Sequence, residues 1–292
     1  MIEHPPFDRP TGEPASPPRR LFAIGPRVLR TLALDLFVAA TSSYAAAPAT
    51  VFLDELTSTE LREDLKSGKT TIIIPVGGTE QNGPHMVLGK HNVRVKVLSE
   101  KIAVALGNAL VAPTVAYVPE GSVNPPSAHM RFPGTITLPD AAFDKLLEYA
   151  ARSFRLHGFR DIVFLGDHGD YQKNLRSVAE RLNREWAASP VRVHAIDEYY
   201  RTTETSYVQA LRRQGFRDDE IGKHAGLADT SLALAVDPRL VRSDRLLGSE
   251  KPGPADGVTG DPRKATAALG QLGVDAIVAA SVSAIRRATE RR

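Results

Sequence analysis

The sequence predicts an α/β protein of three layers, α/β/α, with a mostly parallel central sheet. Short runs rich in β-branched residues alternate with longer stretches of helical period, which is the pattern of βαβ units. Polar residues also gather directly after two of those runs, where the strands of a parallel sheet lead into helices.

Each element has its own signal. Thr70 to Val76 (TTIIIPV) reads as a buried strand. Over NVRVKVLSEKIAVALG, Val93, Val97, Ile102 and Leu106 fall on one helical face, and ALVAPTVAYV is the next extended segment. A helix starts at Pro139-Asp140, runs through AAFDKLLEYAARSFRLHG and stops at Gly158. Asp161 to Leu165 (DIVFL) is a second buried strand. A helix over NLRSVAERLNREWA, a strand at VRVHAI and a long C-terminal helix over ATAALGQLGVDAIVAASVSAIRRATERR complete the pattern. No internal repeat is visible.

Composition narrows the function. The chain has 292 residues, 42% of them apolar and 24% charged, which suits one ordinary domain, expected over residues 48–292. Lys and Arg number 37 against 34 Asp and Glu, and several arginines lie at the two ends, so no nucleic-acid partner is expected. Without cysteine, a transition-metal site must be built from His, Asp and Glu.

Residues 1–47 hold a basic region, a short apolar stretch and small residues ending near Ala47, and read as a cleavable export signal. Arg19-Arg20-Leu21-Phe22 resembles the twin-arginine pattern. An exported, periplasmic protein is the expectation, the alternative being a cytoplasmic one with a leader upstream of its true start. The apolar stretch is too short for a stable membrane span.

The chemistry concentrates in GGTEQNGPHMVLGKHN, after the first strand, and GDHGDYQKN, after the second. Glu80, His85 and His91 crowd the first loop, and Asp167, His168 and Asp170 the second. Imidazole and carboxylate are the donors a divalent ion needs when thiolates are absent.

EQNGPHMVLGKHN resembles the EQHGPHLPLxTD signature of the creatininase (creatinine amidohydrolase) family, and GDHGDYQKNL resembles its GHGGNxxxL or GHYEN segment. SAHMRFPGTITL, KHAGLADTSL and GVTGDPRKAT resemble three further family motifs in the same order, over residues 70–270 in all. The resemblance implies a creatininase-like fold, a dinuclear zinc or manganese site that activates water against a small amide, and a homo-oligomer, often a hexamer. Carried over by position, Glu80, His91, His168 and Asp170 are the metal residues. The family's histidine two residues after the glutamate is Asn82 here, and its bridging aspartate is His91.

A bridging carboxylate offers one oxygen to each of two ions, whereas an imidazole normally serves one. One divalent ion per chain is therefore expected on Glu80, His91 and His168, with zinc first and manganese or iron as the alternatives. Asp170 is left as a fourth ligand, an orienting partner of a histidine, or part of a weak second site with Asn82. By the resemblance His224 is the acid/base shuttle, its imidazole able to titrate near neutral pH, and Asp229 stands where the family has glutamate. Asn82, His85 and His129 are assigned to the substrate side. His157, His194 and Trp186 read as structural.

The resulting expectation is a metal-dependent hydrolase that cuts a non-peptide C–N bond. Creatinine is not the expected substrate, because no tryptophan lies near His224. The rival readings are a catalytically altered binding or scaffold protein, motivated by Asn82, His91 and Leu227, and a mononuclear metal enzyme with non-hydrolytic chemistry.

Overall fold

A computed structural model describes residues 50–247 and 250–290. The expected leader, residues 1–47, lies outside the described residues, as do the last two residues of the expected C-terminal helix. In chain order the first half comprises α1 (Ser58–Lys66), β1 (Thr71–Val76), α2 (Lys90–Leu106), β2 (Ala109–Val111), α3 (Asp140–Leu156), β3 (Asp161–Gly166) and α4 (Gln172–Glu185). It is followed by β4 (Arg192–Ala195), α5 (Asp197–Glu204), α6 (Ser206–Arg213), α7 (Asp218–Ile221), α8 (Leu227–Val236), α9 (Ser243–Leu247) and α10 (Ala267–Glu290).

The four strands form one sheet in the order β2-β1-β3-β4, every neighbouring pair parallel. β1 and β3 are buried along their whole length, as expected of central strands covered on both faces. Alternation of side chains makes the layers. Ile73, Val163 and Leu165 face a core shared with Val95 and Leu98 of α2, Tyr199 of α5, Tyr207 of α6, Leu232 of α8 and Ile277 of α10. Ile72, Ile74, Val76, Ile162 and Phe164 face Phe143 and Leu147 of α3 and Leu175, Val178 and Leu182 of α4. Each such side chain, fully removed from water, stabilises the fold by about 1.5–3 kcal/mol.

Local signals set the helix ends. Thr57 and Glu60 form a reciprocal capping box at the start of α1. α3 begins after Pro139, and Gly158 follows it at φ 104°, the stop that the sequence announces. α10 is long and apolar enough to cross a bilayer by length and composition, but its apolar face packs against α8, α5 and α2.

Only Ala109–Val111 of the expected extended segment 109–118 joins the sheet as a strand. Pro113 lacks an N–H for the ladder. The chain touches β1 again only at an isolated bridge between Val115 and Val76, then runs through an irregular crossing to α3. Helices α5–α9 fall in a stretch for which the periodicity reading made no assignment.

Register positions the site. β1 and β3 pair from Thr71 with Asp161 to Val76 with Gly166, so the two central strands end level. The loops carrying the two polar clusters open side by side at the carboxyl edge of the sheet. A small apolar cluster of Met86, Ala225, Ala233, Leu240, Val241 and Val258 packs the first loop against the segment that carries His224.

Candidate metal centre

The first loop turns through Gly77 and Gly78. Gly78 has φ 151°, and a Cβ there would sit 2.8 Å from Glu120 Oε1, so a glycine lets the loop lie against that carboxylate. The Asn82 amide donates to the carbonyls of Glu80 and Val87 at 2.9 and 3.0 Å and closes the turn. α2 then begins with Lys90, His91 and Arg94 all buried. In the second loop the backbone N–H groups of Asp167 and His168 both donate to the Tyr171 hydroxyl at 3.0 Å. That hydroxyl lies 2.7 and 2.6 Å from the carbonyls of Val76 and Gly77, so one phenol stitches the ends of β1 and β3 together.

Glu80, Glu120, His129 and His168 converge, one donor atom from each lying within 4.8 Å of all the others. Glu80 Oε2 is 3.2 Å from His129 Nδ1 and 3.4 Å from His168 Nε2, and Glu120 Oε2 is 3.9 Å from His168 Nε2. Glu80 Oε2 and both oxygens of Glu120 are buried without a hydrogen-bond donor. Leaving a buried carboxylate oxygen unsatisfied costs on the order of 1–3 kcal/mol or more, which a cation bound among these groups would offset. Two imidazoles and two carboxylates suit zinc or manganese. The donor set thus fits a divalent ion.

Electrostatics agree with the geometry. Burial pushes the Glu120 carboxyl up to about 8. Burial also opposes ionisation of Glu80, but the adjoining His168 and His91 imidazoles outweigh it and hold Glu80 well below the carboxylate range. Burial pulls the His168 imidazole down, yet the Glu80 carboxylate beside it raises it to about 9.

Of the residues expected to bind metal, Glu80 and His168 lie in this cluster. His91 stands beside it: its Nε2 faces Glu80 Oε1 at 2.7 Å and its Nδ1 meets Asp167 Oδ2 at 2.6 Å. A carboxylate behind Nδ1 is how metal-binding histidines are commonly oriented. Asp170 is exposed and outside the cluster, and its backbone N–H donates to His168 Nδ1 at 3.3 Å. His129, expected on the substrate side, is instead a member of the donor cluster. Asn82 and His85 do not line the adjacent cavity. Asn82 shapes its own loop, and the His85 Nε2 is paired with Thr230 Oγ1 at 2.9 Å in the interior.

His224 is half-buried at the cavity wall, with Nε2 3.0 Å from the Gln81 carbonyl and Nδ1 3.7 Å from Glu80 Oε1. The same Nε2 lies 3.1 Å from the Gln81 side-chain amide nitrogen; in the tautomer that donates from Nε2 to the carbonyl, Nδ1 keeps a lone pair. Burial first, and the Lys90 charge second, lower its imidazole to about 4. The expectation that His224 titrates near neutral pH is therefore corrected: it is a neutral base there. Asp229 is fully engaged, accepting from Lys90, from Arg94 Nη1 at 2.6 Å and from the Ala225 N–H at 2.9 Å. Burial opposes its ionisation, but Lys90 and Arg94 hold it well below the carboxylate range.

A cavity of about 380 Å³ extends from His91, His168, His224 and Asp229 between α5, α6 and α8, with Tyr200 and Tyr207 on its wall. That size suits a small molecule. Sequence reasoning missed Glu120, Lys90 and Arg94. Lys90 and Arg94 share the first turns of α2 with His91, a spacing that was available as a signal. Glu120 sits in a Pro-Glu-Gly turn motif that carries no such signal.

The fold and the donor set define an α/β/α protein with an imidazole and carboxylate site at the carboxyl edge of its sheet. This chain belongs to the creatininase (creatinine amidohydrolase) family, whose sequence profile matches residues 54–285. It is 28% identical over 202 residues to the creatinine amidohydrolase of Pseudomonas putida, covering 68% of this chain and 76% of that one. It is 32% identical over 225 residues to the mycofactocin precursor peptide peptidase of Mycolicibacterium smegmatis, covering 73% and 83%. The 3-dehydro-scyllo-inosose hydrolase of Thermotoga maritima is 28% identical over 216 residues, covering 70% and 62%. Among solved structures, a manganese creatininase superposes with a TM-score of 0.68 at 26% identity, covering 82% of this chain and 98% of the other. A creatininase variant of the Zn-Zn type gives 0.67 at 26% identity with the same coverage. The three relatives are hydrolases, which together with the donor cluster supports a metal-dependent hydrolase.

Proposed function

We propose that this protein is a metal-dependent amidohydrolase that cleaves a C–N bond of a small cyclic or linear amide other than creatinine. The observation that carries the reading is the buried set Glu80, Glu120, His129 and His168, with unsatisfied carboxylate oxygens, beside a small cavity that has the neutral imidazole of His224 on its wall. Bound there, a divalent ion supplies Lewis acidity toward a carbonyl and lowers the pKa of water.

The chain's own groups supply the proton handling and the positioning. His224 Nδ1 accepts the proton that the attacking water loses as its oxygen bonds to the carbonyl carbon, and returns that proton to the departing nitrogen as the C–N bond breaks. Asp229, fixed by Lys90 and Arg94, keeps its charge beside the cavity and holds the backbone at Ala225, next to His224. Val208 of α6 and Ala228 and Leu232 of α8 offer the cavity an apolar side against which the rest of the amide can pack. A homo-oligomer, hexameric by family resemblance, and export by way of residues 1–47 belong to the same reading.

The test is turnover. Protein stripped with a chelator and reloaded with Zn²⁺ or Mn²⁺ is offered lactams, formamides, linear amides and short peptides, with released amine as the readout. Cleavage of small amides that disappears on stripping and in Glu80→Gln supports the reading. Cleavage of peptides alone would redirect it to a peptidase, and no turnover with metal loaded would favour a binding protein.

A further inference from the structure

Glu80 has two faces. Its Oε2 looks into the donor cluster, toward His129 and His168. Its Oε1 looks the other way, where His91 Nε2 lies at 2.7 Å, His224 Nδ1 at 3.7 Å and the Lys90 ammonium at 3.8 Å. A carboxylate that divides its oxygens in this manner is the natural bridge between two cations, one on each side. On the second side the cation present is the amino group of Lys90.

Lys90 is 1% exposed and also pairs with Asp229 Oδ2, the other carboxylate on that side. Asp229 Oδ1 is taken by Arg94, and Asp229 Oδ2 also accepts from the Ala225 N–H. Charge gives the same count. Arg94 pairs with Asp167 and Lys90 with Asp229, which cancels those four charges. Glu80 and Glu120 are the two carboxylates left on the cluster side, and in the ion-bound form, with both ionised and the imidazoles neutral, one doubly charged ion balances them. A second divalent ion would add two charges with no carboxylate left to balance them, beside the buried Glu80 and Lys90, where such an excess is costly.

We propose that the Lys90 ammonium serves as the cation on the Glu80 Oε1 side, where a bridging carboxylate would otherwise hold a second ion, so that this chain holds a single divalent ion on the Glu80 Oε2 side. The inference rests on the metal-hydrolase reading and assigns Lys90 as a positioning residue that fixes metal number and holds Glu80 and Asp229 in place.

Metal stoichiometry tests it without reference to turnover. Stripped full-length protein is titrated with Zn²⁺ and with Mn²⁺, and bound ions per chain are counted by mass spectrometry after gel filtration. Wild type is expected to stop at one ion per chain. Lys90→Gln, which removes the charge at similar length, is expected to bind a second ion at least tenfold more tightly than wild type does, and Lys90→Arg to remain at one. Two tightly held ions in wild type, or one ion in both wild type and folded Lys90→Gln, overturn the inference. Where Lys90→Gln does not fold, wild type loaded with excess Mn²⁺ decides by electron paramagnetic resonance: isolated ions support it and a spin-coupled pair overturns it. Protein that binds no ion at all would overturn the hydrolase reading too, whereas one ion in both proteins defeats only the role given to Lys90.

Discussion

Asp167 holds the imidazole of His91 from behind, its Oδ2 lying 2.6 Å from Nδ1, and the same carboxylate takes Arg94 Nε at 2.8 Å and the Tyr199 hydroxyl at 2.8 Å. Asp167 is buried, so removing its charge leaves Arg94 with Asp229 as its one remaining carboxylate partner and unsettles His91 and Tyr199. Asp167→Asn is expected to lower stability by about 1–3 kcal/mol. Urea unfolding followed by circular dichroism measures this, and an unchanged midpoint would show the network to be dispensable.

Metal removal and return give a second prediction. A ligand that binds only the folded chain adds about 2.7 kcal/mol at a hundredfold excess over its Kd. Thermal melts of stripped protein should therefore rise by roughly 5–10 °C on saturation with Zn²⁺. Glu120→Gln and His129→Ala should each remove most of that rise. If both keep the full shift while His91→Ala abolishes it, the ion is held by the set expected from sequence and not by the cluster of four.

The pH dependence of metal-free protein follows from linkage. His85 and His224 are lowered to about 4, so their stabilising effect is present above the ordinary imidazole value of 6.5 and is lost as pH falls through about 4. His168 is raised to about 9, so its contribution is present below 6.5 and is lost as pH rises through about 9. Glu120, raised to about 8, likewise disfavours the folded state as pH climbs from 4.5 toward 8. Stability of stripped protein should thus peak between roughly pH 6 and 7. Because both His168 and Glu120 must shed protons to bind an ion, apparent Zn²⁺ affinity should rise between pH 6 and 8 by up to about a hundredfold per unit. Isothermal titration in buffers of different ionisation enthalpy counts the protons released, and none released would contradict this.

His224→Gln should leave metal content unchanged while lowering kcat about 10²–10⁴-fold. Metal analysis and turnover on the same preparation separate the two effects. Loss of metal together with activity would make His224 a ligand or a structural post.

Tyr171→Phe keeps the packing against Phe143 but deletes the hydroxyl that joins the ends of β1 and β3. The buried His168 N–H loses its acceptor, while that of Asp167 keeps the Val76 carbonyl at 3.0 Å, so the cost is about 1–3 kcal/mol. Apparent metal affinity should fall about 10–100-fold, since Glu80 and His168 are carried by the two loops so joined. Native affinity in the variant would show that the strand register alone aligns them.

The sheet was legible because β1 and β3 are apolar runs with no competing pattern, and the loops after them carry their polar residues in unbroken clusters. Glu80 and His168 were found for that reason. Glu120 and His129 come from the crossing between β2 and α3, whose course is set by contacts with Gly78, Leu88 and Thr79 and not by any local period. His85 was misjudged because a loop histidine in sequence gives no hint of the Thr230 hydroxyl that receives it in the interior. The state of His224 was likewise hidden, since it depends on burial and on a lysine far away in sequence.

This chain has no cysteine, so it has no covalent means of tying distant segments together. Glu80, Glu120, His129 and His168 stand on three different connections of the sheet, and one ion held by all of them would close long loops as a disulfide does. The centre would then be a cross-link as well as a reagent. Stripping it would loosen the irregular crossing around Glu120 before it loosened the sheet, and partial proteolysis of metal-free protein should begin in residues 112–139.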